Sequence, residues 1–250
     1  MEFELSQEPP RVESEPPASL SRTIVVKQLK KLKWILSSHP WSTAFLRYVR
    51  FTQLHSLQWS GYLIVERDKE PLISFFSKLP STLQNLEFFD FREFYSRRML
   101  KLILTNIPPI SLLSFADCPY LPVLTGAMTI IGRLINAFPG SDTIHDQTAG
   151  NMEGPRVLAS LDTIKVSGGY VDKMCSSAMI EMLEALHEMN RSQTPFKLIF
   201  SGILGENLFV AESRRRIKVL VDSGFDLEVW WDSERMDWSL ANGAAEVADT

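Results

Sequence analysis

The sequence predicts an α/β solenoid with irregular repeats, a parallel sheet on its concave side and helices on its convex side, and three observations predict it. A phrase recurs in which an apolar residue, two residues, an aliphatic one, one residue and a large apolar one follow each other. It reads Leu54/Leu57/Trp59, Leu83/Leu86/Phe88, Ile110/Leu113/Phe115 and Leu161/Ile164/Val166. A helical stretch with one apolar side follows the copies, as in Leu72, Ile73, Phe75, Phe76 and Leu79. The first three copies start 29 and then 27 residues apart. One strand and one helix cannot bury their own apolar face, so such units must stack.

In chain order, residues 1–20 hold Pro9, Pro10, Pro16 and Pro17 among acids and are expected to form a disordered tail. The repeat domain then runs over 21–231. Thr23–Leu36 predicts a basic amphipathic capping helix, with Ile24, Val25, Leu29, Leu32, Ile35 and Leu36 opposite Lys27, Lys30, Lys31 and Lys33, ended by Pro40. Strand 54–59 leads through Gly61 to a helix with Pro71 in its first turn and Pro80 after its end. Strands 83–88 and 110–115 follow. The next copy waits 51 residues, to Leu161, so the stretch near 119–157 is either a decayed repeat or an insertion. It contains a predicted helix, Leu121–Ala137, and a polar loop, Pro139–Pro155. A helix is expected over Met174–Met189 and another over Asn207–Asp222, with Gly224 as a left-handed stop. Two degraded strands with plain alternation, Phe196/Leu198/Phe200 and Phe225/Leu227/Val229, complete the series, and 232–250 predicts a second acidic tail. The spacing of the phrase is the strand signature of a leucine-rich repeat.

The net charge of −4 is unevenly placed. Five acids and one arginine lie in 1–20 and again in 232–250, leaving 24 basic and 20 acidic side chains between. That balance is too mild and scattered for a nucleic-acid partner. Acids and prolines at the N-terminus are the reverse of a secretory signal, and no run of about 18 apolar residues exists to span a membrane. Two cysteines, Cys118 and Cys175, fit a reducing compartment, cytoplasmic or nuclear, with Cys118 read as a buried structural thiol.

Catalytic motifs are absent. His39, His55, His145 and His187 have no companions at metal-ligand spacing, and no nucleophile elbow, phosphate loop or dinucleotide fingerprint occurs. Asp142, His145 and Asp146 form one dense acid–base cluster, but a long loop is a poor platform for preorganised chemistry. No enzyme activity, metal or cofactor is therefore expected. Arg214, Arg215 and Arg216 fall on a predicted helix, where three consecutive residues point in different directions and make no single patch.

"SHPWSTAFLRYVRF" (38–51) and the closing "FDLEVWW" (225–231) carry a resemblance. From about residue 28 onward the chain resembles the leucine-rich-repeat region of fungal F-box-like proteins. The resemblance implies a substrate-recruiting subunit of a cullin-type ubiquitin ligase, in which an F-box docks on the adaptor and the repeats hold the target. Neither 1–20 nor 23–36 reads as a three-helix F-box, so an adaptor becomes an expected partner only with an F-box upstream.

Residues that alternate with the core positions of each strand should line the concave surface. The partner-binding candidates on it are Gln58, Asn85, Glu87, Phe89, Leu112, Ser114, Lys165, Glu228 and Trp230, where Phe89 and Trp230 supply aromatic anchors among small polar groups. The expected function is a non-catalytic protein-interaction module. The alternative is that the basic helix 23–36 docks on a membrane surface or an acidic partner, with the repeats as scaffold.

Overall fold

Alternating apolar residues make the recurring phrases into strands, and the stretches between them close into helices. The computed structural model describes residues 2–4, 23–36, 40–61, 69–89, 97–118, 121–136, 160–170, 173–188, 195–204 and 209–236. In chain order these give β1 (Glu2–Glu4), β2 (Ile24–Val26), β3 (Lys31–Leu36), α1 (Pro40–Tyr48), β4 (Val49–Phe51) and β5 (Ser56–Gly61). Next come α2 (Lys69–Ser77), β6 (Asn85–Phe89), α3 (Arg97–Asn106), β7 (Leu112–Cys118), α4 (Leu121–Asn136) and β8 (Thr163–Tyr170). The last are α5 (Lys173–Glu188), β9 (Phe196–Leu204), α6 (Ala211–Asp222), β10 (Leu227–Trp231) and β11 (Glu234–Arg235).

The fold is α/β around one open, mostly parallel sheet of order β1-β3-β5-β6-β7-β8-β9-β10-β11, and β2 pairs with β4 apart from it. Among the described strands only the β10–β11 hairpin is antiparallel. From β3 to β10, leaving out β4, each strand lies beside the next in sequence. Parallel crossovers are right-handed, so repeated steps in one direction place their helices on one face. Consecutive helices from α1 to α6 accordingly touch one another.

The core is built from two rows that cross the sheet. One is Leu32, Leu57, Leu86, Leu113, Ile164, Leu198 and Val229; the other is Trp34, Trp59, Phe88, Phe115, Val166, Phe200 and Trp231. The first row and most of the second are buried. Leu54, Leu83, Ile110 and Leu161, which open each phrase, are buried ahead of their strands. The turns there repeat one pattern: the N–H groups of Gln84 and Asn85 both donate to His55 O, those of Ser111 and Leu112 to Gln84 O, and those of Asp162 and Thr163 to Ser111 O. Each layer thereby satisfies the backbone of its neighbour.

Several expectations are corrected. Thr23–Leu36 is not a helix but β2 and β3. Lys31-Leu32-Lys33-Trp34 alternates, and β5 offers a template against which Leu32 is buried and Trp34 stacks 3.8 Å from Phe45. Pro40 begins α1 rather than ending a helix, since its fixed φ and missing N–H suit a first turn. Within 1–20, Glu2–Glu4 forms β1 against β3. Within 232–250, Glu234–Arg235 forms β11; the rest of both stretches lies outside the described residues. The last strand also slips by two, setting Val229 against Leu198 and Trp231 against Phe200. An even slip keeps every side chain on its own face, so alternation alone could not fix it.

Across the long gap β7 pairs directly with β8, so no further strand stands between them in the sheet, and the predicted helix is present as α4. The loop with Asp142, His145 and Asp146 lies outside the described residues. The side chain of Cys118 does too, whereas Cys175 is buried on α5. At the end of α6, Gly224 has φ +96°, and its N–H and that of Phe225 donate to Val221 O and Leu220 O. This is the paired closure that a left-handed residue permits. Among the described residues no helix is long and apolar enough to cross a membrane.

Candidate functional site

Strand residues that alternate with the two core rows project from the face away from the helices, in three rows of their own. The first runs Lys31, Ser56, Asn85, Leu112, Thr163, Lys197 and Glu228. A second runs Lys33, Gln58, Glu87, Ser114, Lys165, Ile199 and Trp230, and a third takes in Ile35, Ser60, Phe89, Ala116, Ser167 and Ser201. All nine residues expected to line a binding surface thus share this face. Five of them, Gln58, Glu87, Ser114, Lys165 and Trp230, fall in the middle row.

Contacts divide this face into two polar clusters. At one end Gln58 Nε2 donates to Glu87 Oε1 at 3.0 Å, and Lys33 Nζ sits 5.1 Å above the Phe89 ring. At the other, Glu228 accepts from Trp230 Nε1 at 3.2 Å and pairs with Lys197 at 3.4 Å and Arg235 at 3.5 Å. Between them Ser114 is only 3% exposed, and its Oγ has no hydrogen-bond partner among the described residues. Adjacent strands are about 4.8 Å apart, which puts Glu87 and Lys165 roughly 10 Å apart on either side of Ser114.

Sequence reasoning missed Lys33, because it assigned the residue to a helix; the Lys-Leu-Lys-Trp alternation was the signal. It missed Arg235 because a two-residue strand leaves no periodic trace. It also missed a shared kink. Asp117, Gly168 and Gly202 stand side by side on β7, β8 and β9 with φ of 51°, 65° and 60°. Each follows a small residue, Ala116, Ser167 or Ser201, which in turn follows Phe115, Val166 or Phe200.

The indole N–H of Trp230, helped by Lys197 and Arg235, holds the Glu228 carboxyl below its ordinary value of 4.5. A lowered folded-state pKa contributes stability that is present above the ordinary value and is lost as pH falls through the folded one. Glu228→Gln should therefore unfold at lower urea than wild type at pH 7, and the two midpoints should converge as pH falls from the ordinary value through the lowered folded-state one. A gap that stays constant from pH 7 to pH 3 would show that the carboxylate charge plays no part.

Helix-side chemistry reads differently. His187 Nε2 lies 3.0 Å from Ser223 Oγ, but that hydroxyl donates to Leu220 O at 2.7 Å, so its proton is committed to a helix end and not to a base. The three arginines of α6 separate: Arg214 donates to Phe209 O, Arg215 pairs with Glu212, and Arg216 clasps Glu184 of α5 through two bonds. Among the described residues no group of three or more His, Cys, Asp or Glu could hold a metal ion. No protein-family model matches the chain, and a search of curated proteins finds no match.

Proposed function

We propose that the chain is a leucine-rich-repeat solenoid acting as a non-catalytic protein-interaction module in the cytoplasm or nucleus, and that the face away from the helices holds an extended segment of a partner protein. The observation that carries this reading is the middle row, where hydrogen-bonding, charged and aromatic side chains follow one another across seven paired strands. Seven strands at about 4.8 Å make a track roughly 30 Å long, enough for about nine residues of extended chain. Trp230 would anchor one end, while Glu87 and Lys165 select charge. The resemblance to F-box-like proteins supports a target-recruiting role in which an F-box and its adaptor are supplied from outside these residues. Docking through a basic amphipathic helix loses its premise, because the lysines of 23–36 lie on and between strands.

Affinity purification followed by mass spectrometry tests the reading. Trp230→Ala and Glu87→Lys should each lose partners that wild type and the helix-side control Val219→Ser retain, with circular dichroism verifying that all four proteins are folded. Identical partner sets in all four would defeat it.

A further inference from the structure

The outward face carries charge of the opposite sign to the whole chain. Its first two rows hold the cations Lys31, Lys33, Lys165 and Lys197, and Arg235 continues the middle row onto β11. Against these five stand two carboxylates, Glu87 and Glu228, so the rows are net +3 where the chain is −4. Most of that charge is engaged: Lys197 and Arg235 flank Glu228, Lys33 lies over Phe89, and Glu87 accepts from Gln58. Lys165 differs, making no ion pair or hydrogen bond among the described residues. Beside it on β7 stands the Ser114 hydroxyl, 3% exposed and also without a partner among them.

We propose that Ser114 and Lys165 form a binding site for a side-chain carboxylate of the partner segment, whose pattern is acidic–x–apolar–x–apolar. The site lies on the track proposed above and rests on that reading. One carboxylate oxygen accepts from Ser114 Oγ and the other from Lys165 Nζ, a charge-assisted pair that satisfies a hydroxyl otherwise buried without a partner. A hydroxyl this deep is reached by inserting between long side chains, and the lysine stem beside it has the rotamer freedom to move aside. Glu87, on the other neighbouring strand, gives Oε1 to Gln58 on β5, the side opposite Ser114. Register sets the rest of the pattern. Same-face residues of an extended segment repeat about every 6.7 Å, against about 4.8 Å between strands. With the acid between β7 and β8, the next two therefore fall near Ile199 on β9 and Trp230 on β10, both half-buried. The residue two before the acid faces Glu87 and should be basic. A polyanion matches less well, because Glu87 and Glu228 interrupt the cations along the rows.

Fluorescence anisotropy with the full chain and a labelled peptide, Gly-Lys-Ser-Glu-Ser-Leu-Ser-Leu-Gly, tests the proposal. Glutamine in place of the peptide's glutamate should weaken binding about tenfold or more, the worth of a hydrogen bond to a charged group. Ser114→Ala and Lys165→Gln should each weaken the glutamate peptide, and Lys165→Gln should bind the two peptides alike, the non-additivity that marks a paired charge. Lys165→Glu should reject the glutamate peptide and take a version with lysine in that place. Should Lys165→Glu not fold, Ser114→Ala, which removes a single oxygen, carries the test. Equal binding of both peptides by wild type, with both weakened by Trp230→Ala, would overturn the carboxylate site and leave the track standing. Binding of neither peptide would also overturn the site, and the track would then stand or fall by the partner sets of Trp230→Ala. An oligouridylate bound by wild type and released by Lys165→Glu, with no peptide bound, would overturn both readings and assign the face to nucleic acid.

Discussion

Trp59→Ala should destabilise the fold by about 3–5 kcal/mol, the range for removing a large buried aromatic. Trp59 is fully buried and sits in the aromatic row between Trp34 and Phe88, with ring centres 5.8 Å from Phe75 and 5.1 Å from Phe76 on α2. Phe75 in turn lies 6.2 Å from Phe45, which stacks on Trp34, so the indole joins the first layers of the sheet to two helices. At about 2–4 °C per kcal/mol for a chain of this size, its loss should lower the melting temperature by roughly 10 °C. Trp59→Phe should behave differently. The buried indole N–H of Trp59 has no hydrogen-bond partner among the described residues, and an unpaired buried donor costs about 1–3 kcal/mol. Phenylalanine removes that donor while keeping most of the packing, so its stability should fall within about 1 kcal/mol of wild type, the two effects offsetting. Urea denaturation of both variants decides. Equal losses would mean that the indole is neither packed nor orphaned in this way.

The rows of the sheet were legible from Leu57, Leu86, Leu113 and Ile164 because one spacing repeats and each copy is followed by its own helix. The nine outward candidates came with them, since alternation assigns faces once the core positions are known. What sequence could not give was register. Gln58 meets Glu87, and Glu228 meets Arg235, only because particular residues of neighbouring strands stand side by side, and a slip of two, as at Val229, leaves the pattern unchanged. Residues 29–36 were ambiguous for a different reason. Leu29, Leu32 and Leu36 fit a helical stripe as well as Lys31, Leu32, Lys33 and Trp34 fit a strand, and the neighbouring strand β5 settles which period wins. For Glu2–Glu4 the strand exists through its parallel backbone pairing with Lys31–Lys33, so no local window contained the signal.

The left-handed rung at the ends of the outward rows separates two costs that are usually confounded. Gly168 and Gly202 adopt nearly the same φ, +65° and +60°, on adjacent strands. A Cβ at Gly202 would meet nothing within 4 Å, whereas one at Gly168 would lie 2.9 Å from Asp117 Oδ1 and 3.5 Å from its backbone. Gly202→Ala should therefore carry only the conformational penalty of a left-handed residue, about 1–2 kcal/mol. Gly168→Ala adds the close approach, for a total of about 2–4 kcal/mol once an overpacking cost is included. Asp117 is the natural control, because it occupies the same rung with φ 51° and glycine accepts that conformation freely. Asp117→Gly in the Gly168→Ala background removes the carboxylate and should bring the loss back toward that of Gly202→Ala. Urea midpoints for wild type, Asp117→Gly, Gly168→Ala and the double variant would reveal the interaction as non-additivity between Asp117 and Gly168. If Gly168→Ala and Gly202→Ala prove equally costly, the Asp117 side chain does not lie against β8, and the three strands do not turn together at this rung.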